Sequence, residues 1–269
     1  MFRKIRNSRL NDDGDSLKAT FRWLEIEDGP RCLLATCPIS EHSANDLQFI
    51  DWDEVNTFKT QKRTNEHLSA RWLLEQALME WSGLDCSQLT IARTTERAPY
   101  LQAIQGLWIQ PQLPAISLSH SQNLAAVALI EQGWTVGVDA EPFDRPPAST
   151  VYDMMARGEE LEQLKEGALD ALWAWTSKEA IQKAARKGMH LNPRDIVLNG
   201  LDYKNKISIE NSIFQLENLS NEEYQITLAW GRDVNPIRSP EDDLLDATRE
   251  AMQNGDDWSV GCSTVRKNV

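Results

Sequence analysis

The sequence is poor in cysteine and in basic charge, and it has no long apolar run. Its four cysteines, Cys32, Cys37, Cys86 and Cys262, show neither paired metal-ligand spacing nor the density of a disulfide scaffold, so reduced, mostly buried thiols are expected. Lys and Arg number 28 against 41 Asp and Glu, a net charge of −13. Nucleic acid and an anionic membrane both demand a basic face, so neither is an expected partner. No stretch approaches the ~20 apolar residues a membrane helix requires, and no charged-then-apolar segment opens the chain, which predicts a soluble, cytoplasmic protein. An acidic total does not forbid a local anion pocket. At physiological salt the Debye length is ~8 Å, so distant surface charge is screened.

At 269 residues and 41% hydrophobic composition, the chain can bury one large core or two modest ones. Its most informative stretch runs from Thr135 to Gly188. Thr135-Val136-Gly137-Val138-Asp139-Ala140-Glu141 reads as a strand, and a period of two puts Asp139 and Glu141 on one face. Two carboxylates so placed repel unless a cation sits between them. Further on, Trp173-Ala174-Trp175-Thr176-Ser177-Lys178-Glu179-Ala180-Ile181-Gln182-Lys183 reads as a helix with Asp170 as N-cap and Gly188 as stop. Glu179 and Lys183 are four apart and share a face. Hard oxygen ligands for Mg²⁺ beside a cation for an anionic substrate make a phosphoryl-transfer set. Each feature has an ordinary reading when taken singly. Glu179 and Lys183 could be a surface ion pair, and Thr176-x-x-Glu179 could be a capping box.

Together, Gly-Val-Asp-x-Glu and the later Trp-Thr-Ser-Lys-Glu-Ala-x-x-Lys resemble the signature of the 4′-phosphopantetheinyl transferase superfamily, in particular its larger, monomeric, surfactin-synthetase-activating type. The resemblance covers roughly residues 62–230. It implies Mg²⁺-dependent transfer of the 4′-phosphopantetheine arm of coenzyme A to a serine of an apo acyl or peptidyl carrier protein. Asp139, Glu141 and Glu179 would hold the metal, Lys178 and Lys183 would meet the phosphates, and Glu179 or Glu159 would take the serine proton. Which of these carboxylates is the base is left open by the residues.

The rest of the chain supplies further candidates. Residues 1–30 read as a polar N-terminal extension, and Arg31 to Ile39 as the first core strand. A helix is predicted from about Val55 to Trp81, ended by Gly83. Through the resemblance, its Arg63 and Arg71 face the nucleotide end of coenzyme A. Leu89 to Arg93 reads as a short strand. It leads into Arg97-Ala98-Pro99, where relatives carry Gly-Lys-Pro, so Ala98 stands at the lysine position and Arg97 becomes the substitute candidate. Ile116 to Ser121 and Leu124 to Ile130 read as a hairpin. Ser119 and His120 lie in a Ser-His-Ser segment whose histidine contacts phosphate in the family. Gly133 marks a boundary. Asp195 to Leu198, Lys206 to Glu210 and Glu223 to Trp230 read as antiparallel strands.

The expected fold is α+β, with two similar halves, 31–133 and 134–232, each a long helix on a small, mostly antiparallel sheet, related by pseudo-twofold symmetry. An acidic tail, 233–269, follows. Two other readings compete with the transferase. One is a relative that binds coenzyme A or carrier protein without turnover; the other is an unrelated α+β binding protein.

Overall fold

The computed structural model describes residues 18–26, 29–104, 113–198 and 206–237. Residues 1–234 form one compact unit and 235–269 a second, of which only 235–237 are described. Most of the N-terminal extension, Cys262 and nearly all of the acidic tail therefore lie outside the described residues.

The first unit contains two four-stranded antiparallel sheets. Strands β1 (Thr20–Leu24), β2 (Cys32–Pro38), β5 (Ala115–Ser121) and β6 (Leu124–Ile130) form one, in the order β1-β2-β6-β5. Strands β7 (Trp134–Pro142), β8 (Lys206–Ile209), β9 (Ser212–Asn218) and β10 (Tyr224–Arg232) form the other, in the order β7-β10-β9-β8. A separate hairpin pairs β3 (Leu89–Arg93) with β4 (Pro99–Ala103). The helices are α1 (Trp52–Val55), α2 (Gln61–Ser82), α3 (Tyr152–Met155), α4 (Glu159–Glu166) and α5 (Ala171–Ala184). Among the described residues no helix is long and apolar enough to cross a membrane.

Side-chain alternation explains the layering. On β2 and β6, Leu33, Ala35, Val127 and Leu129 meet Leu73, Leu74 and Leu78 of α2. Their neighbours Cys32, Leu34, Ala126 and Ala128 point the other way and pack on Val136, Val138, Ile226 and Leu228 of the second sheet. The far face of that sheet, including Phe214, Leu216 and Ala229, receives Trp173, Ala180 and Ile181 of α5. Helix, sheet, sheet and helix thus share three apolar cores. This is why β6 reads Leu-Ala-Ala-Val-Ala-Leu-Ile with every residue buried, for a strand covered on both faces has no position for a polar side chain.

Several sequence expectations need correction. The stretch read as loose extension contains β1, whose Phe21 is buried against β2. The long helix is interrupted. Asp51 caps α1 and Thr60 caps α2 by accepting the Arg63 N–H, so the chain turns between them. Asp195 to Leu198 is no strand; a 3-10 turn at Pro193–Asp195, opened by Asn192, occupies its start. Strands β4 and β9 were not anticipated. Helix α5 stops at Ala184 rather than near Gly188. Arg186 takes the left-handed conformation at φ 57, with Lys187 N–H bonded to Gln182 O and Arg186 N–H to Lys183 O, the Schellman pattern with arginine in the usual glycine place. Its guanidinium is paired with Asp233.

Strand β7 and helix α5 approach closely at Gly137. A Cβ on Gly137 would lie 1.9 Å from the Ala180 carbonyl oxygen and 2.5 Å from the Ala184 nitrogen. Backbone cannot yield as a flexible side chain can. Gly137→Ala should therefore lower unfolding stability by about 1–3 kcal/mol, read from the urea midpoint, as overpacking against fixed atoms does. An unchanged midpoint would show that α5 sits further from β7 than described.

Candidate functional site

The contact at Gly137 seats α5 across the carboxyl-rich end of β7. Lys183, in the last turn of α5, donates from Nζ to Asp139 Oδ1 at 2.7 Å and to the Val138 carbonyl at 3.0 Å. Glu179, one turn earlier, shares its face. Thr176 lies within the helix and bonds Trp173 O and Thr227 Oγ1, so no capping box forms at Glu179 and the helix begins at Asp170 as the sequence suggested.

The edge strand β5 comes alongside from the first sheet. Its alternate residues form a serine row: Ser117 Oγ accepts from Val138 N–H at 3.0 Å, Ser119 Oγ donates to Asp139 Oδ1 at 2.9 Å, and Ser121 Oγ donates to Glu141 Oε2. The intervening His120 points to the opposite face, toward α2. There Arg63 Nη1 lies 2.6 Å from His120 Nε2, and Glu66 Oε2 lies 3.5 Å from His120 Nδ1 and 3.5 Å from Arg63 Nη1. Arginine can only donate, so Nε2 accepts and the ring proton sits on Nδ1, facing Glu66.

Burial and neighbouring charge shift the titration of these groups. Burial pushes the Glu179 carboxyl above its ordinary value; Asp139 and Glu141 push it further, and Lys183 opposes them. Glu141 is raised by burial first and by Asp139, against the Ser121 hydrogen bond and Lys183. His120 is lowered to about 4 by burial and then by the cations of Arg63 and Lys183. The nearby Glu66 does not offset this, so the ring is neutral at physiological pH.

The acidic trio suits a hard divalent cation in kind. It offers three carboxylates, and Asp139 Oδ2 is buried with no hydrogen-bond partner. As the side chains stand, however, their oxygens do not converge: among the described residues no group of three or more His, Cys, Asp or Glu side chains is placed to hold a metal ion. The position at Asp139 Oδ1 is taken by the Lys183 ammonium.

Other sequence candidates fall elsewhere. Lys178 is not at a phosphate position. Its side chain is 2% exposed, and Nζ donates to Glu160 Oε2 at 2.8 Å, Pro193 O at 3.0 Å and Ile196 O at 2.5 Å. All three ammonium protons are spent on holding α4 and the segment after α5. Glu159 is exposed at the start of α4, while its neighbour Glu160 is the buried residue, also accepting from Leu198 N–H at 2.8 Å. Arg71 is buried rather than in the cluster with His120. It faces Glu54 at 3.9 Å and bounds a 360 Å³ pocket shared with Trp52 and Arg93. Burial lowers its pKa to about 10. Arg97 is exposed at the tip of the β3–β4 hairpin, with φ 67. Of the basic candidates Arg63, Arg71, Arg97 and His120, the structure pairs Arg63 with His120.

Sequence reasoning missed Glu66, Ser121 and Glu160. Period two on β5, applied to the serines as it was to Asp139 and Glu141, would have found Ser121. A charged residue four positions before Ala70, on the face of the helix carrying Arg63, gives no such signal for Glu66.

Against known proteins, the family model ACPS, the 4′-phosphopantetheinyl transferase superfamily, matches residues 135–229. The match holds α5, β7 but for Trp134, and residues 224–229 of β10, and with them Asp139, Glu141, Glu179 and Lys183. Arg63 and His120 lie before it. No curated protein matches the chain.

Two measurements check this geometry. Lys178→Met should cost about 3–5 kcal/mol by leaving the Glu160 carboxylate buried and unpaired, and Lys178→Met with Glu160→Gln should recover most of that loss. Near-normal stability of the single variant would return Lys178 to the surface. The second concerns pH. His67, buried on α2, is also lowered, from 6.5 to about 4, by burial and then Arg71. Between those values the unfolded chain binds more protons than the folded one, so stability falls as pH drops from about 6.5 toward 4. His67→Gln should flatten that fall, measured as urea midpoints across the range; an identical profile in the variant would assign the proton uptake elsewhere.

Proposed function

We propose that the chain transfers the 4′-phosphopantetheine arm of coenzyme A to a serine hydroxyl of an apo acyl or peptidyl carrier protein, with Mg²⁺, as a cytoplasmic monomer of the surfactin-synthetase-activating type. The observation that carries this reading is the ion pair of Lys183 on α5 with Asp139 on β7, with Glu179 one turn before Lys183 on the same helix. The topology supports the larger type: β2, α2, β5 and β6, with sheet order β2-β6-β5, are matched in kind by β7, α5, β9 and β10, with order β7-β10-β9. Two such halves related by a pseudo-twofold axis are what that type implies.

In the reaction, the serine oxygen forms a bond to the phosphorus bearing pantetheine. The bond from that phosphorus to the bridging oxygen breaks, and adenosine 3′,5′-bisphosphate leaves. Glu179 accepts the serine proton, whereas Glu159 is exposed at the start of α4. Asp139, Glu141 and Glu179 would hold Mg²⁺, which when bound neutralises charge developing on the pyrophosphate oxygens. Arg63 donates to a phosphate oxygen of the nucleotide end, and Lys183 to the pyrophosphate. His120 holds Arg63 in line. Ser119 and Ser121 fix the two β7 carboxylates.

Incubation with coenzyme A, Mg²⁺ and an apo carrier protein should give the carrier the mass of one phosphopantetheine arm. Glu179→Gln keeps the size of the side chain but not its charge. It should retain the melting temperature and lose about a hundredfold or more in rate. A variant with normal turnover would remove Glu179 from the chemistry. Coenzyme A binding with no mass gain on any carrier would favour the non-catalytic relative, the reading that Ala98 supports.

A further inference from the structure

We propose that Lys183 is a tethered counter-cation for the acidic cluster, displaced when a divalent cation enters, so that metal binding is what frees the ammonium to take an anionic substrate. The inference rests on the reading of Asp139, Glu141 and Glu179 as metal ligands and concerns the order in which that site fills.

The two oxygens of Asp139 are unequally served. Oδ1 carries both the Lys183 ammonium at 2.7 Å and the Ser119 hydroxyl at 2.9 Å, while Oδ2 is buried with no partner. Glu141 lies two residues on along the same face of β7, and Glu179 one helical turn before Lys183. One ammonium on Asp139 thus holds a place that a dication would neutralise more completely. The two cannot share the cluster unchanged. A dication bound at Asp139 repels an ammonium on the same carboxylate, and the Val138 carbonyl at 3.0 Å is then the remaining acceptor.

The displaced side chain has somewhere to go. Lys183 is 27% exposed, unlike the buried Lys178 on the same helix at 2%. Its stem leaves the last turn of α5. Released from Asp139, the ammonium turns outward, where an anion can meet it. Metal and anion then favour each other through one side chain, and the coupling is reciprocal.

Amine acetylation of the full-length protein, read by peptide mass spectrometry with Mg²⁺ or with chelator at constant ionic strength, tests this. Mn²⁺ binding is followed in parallel by electron paramagnetic resonance. Lys183 should be labelled about tenfold faster with Mg²⁺, the gain expected when a charge-assisted hydrogen bond no longer hides the amine. Exposed Lys165 should be unaffected. In Asp139→Asn, Lys183 should be fast without metal and indifferent to it. Mn²⁺ bound at one per chain with Lys183 labelling unchanged or slowed in the wild type would overturn the displacement while leaving the metal site standing. No Mn²⁺ binding would overturn both.

Discussion

A backbone contact governs this molecule: at Gly137 strand β7 lies directly against Ala180 and Ala184 of α5. A larger residue there would lift the helix, and with it the two side chains, Glu179 and Lys183, that reach the β7 carboxylates. Everything chemical at the site therefore depends on a missing methyl group. The contact also explains the small residues on that side of α5. Ala180 and Ala184 are buried at 0% and 1% exposure, where a longer side chain would hold the helix off the sheet. On β7, packing and chemistry share one face: Gly137 meets the backbone of α5, and Asp139, two residues on, meets Lys183 of that helix.

The second organising feature is polar. Strands β5 and β7 are both edges of their sheets, and an exposed edge invites pairing with another chain. Here the two edges are joined by serine side chains rather than by a continuous ladder. Ser117 takes up the Val138 N–H, while Ser119 and Ser121 satisfy Asp139 and Glu141. A hydroxyl can donate or accept as its neighbour requires. The same row that covers the edges orients the acids. An overall charge of −13 does not obstruct this, because the local fields of Arg63 and Lys183 act within a few ångströms and surface charge does not reach as far.

Legibility in the sequence followed the range of the forces involved. Helix α5 and strands β2, β3, β5, β6, β7 and β10 were readable because period, caps and β-branched runs are local. So was the acidic pair on β7. The meeting of Glu179 with that pair rested on resemblance, since nothing local tells which strand a helix covers. Lys178 shows the limit. Adjacent to Glu179 in sequence, it points a hundred degrees around the helix, and its three acceptors come from Glu160, Pro193 and Ile196. Glu159 and Glu160 differ for the same reason, as one step along a helix changes solvent for core. The strand expected after Asp195 failed because Asn192 and Pro193 start a 3-10 turn, a stronger local signal than the apolar residues that follow.

Helix α5 also carries a stop signal that its own sequence does not contain. Arg186 adopts a conformation that glycine would take without strain, and it is clamped by Asp233, 47 residues later. Two positions distant in the chain are therefore one unit of inheritance. Glycine at 186 would take the turn without strain, and the clamp on Asp233 would go with the arginine. Among descendants of this sequence the two sites should change together, and arginine at 186 should be found where an acid is kept at 233. The end of the helix that bears Glu179 and Lys183 is thus recorded in the residue that follows β10.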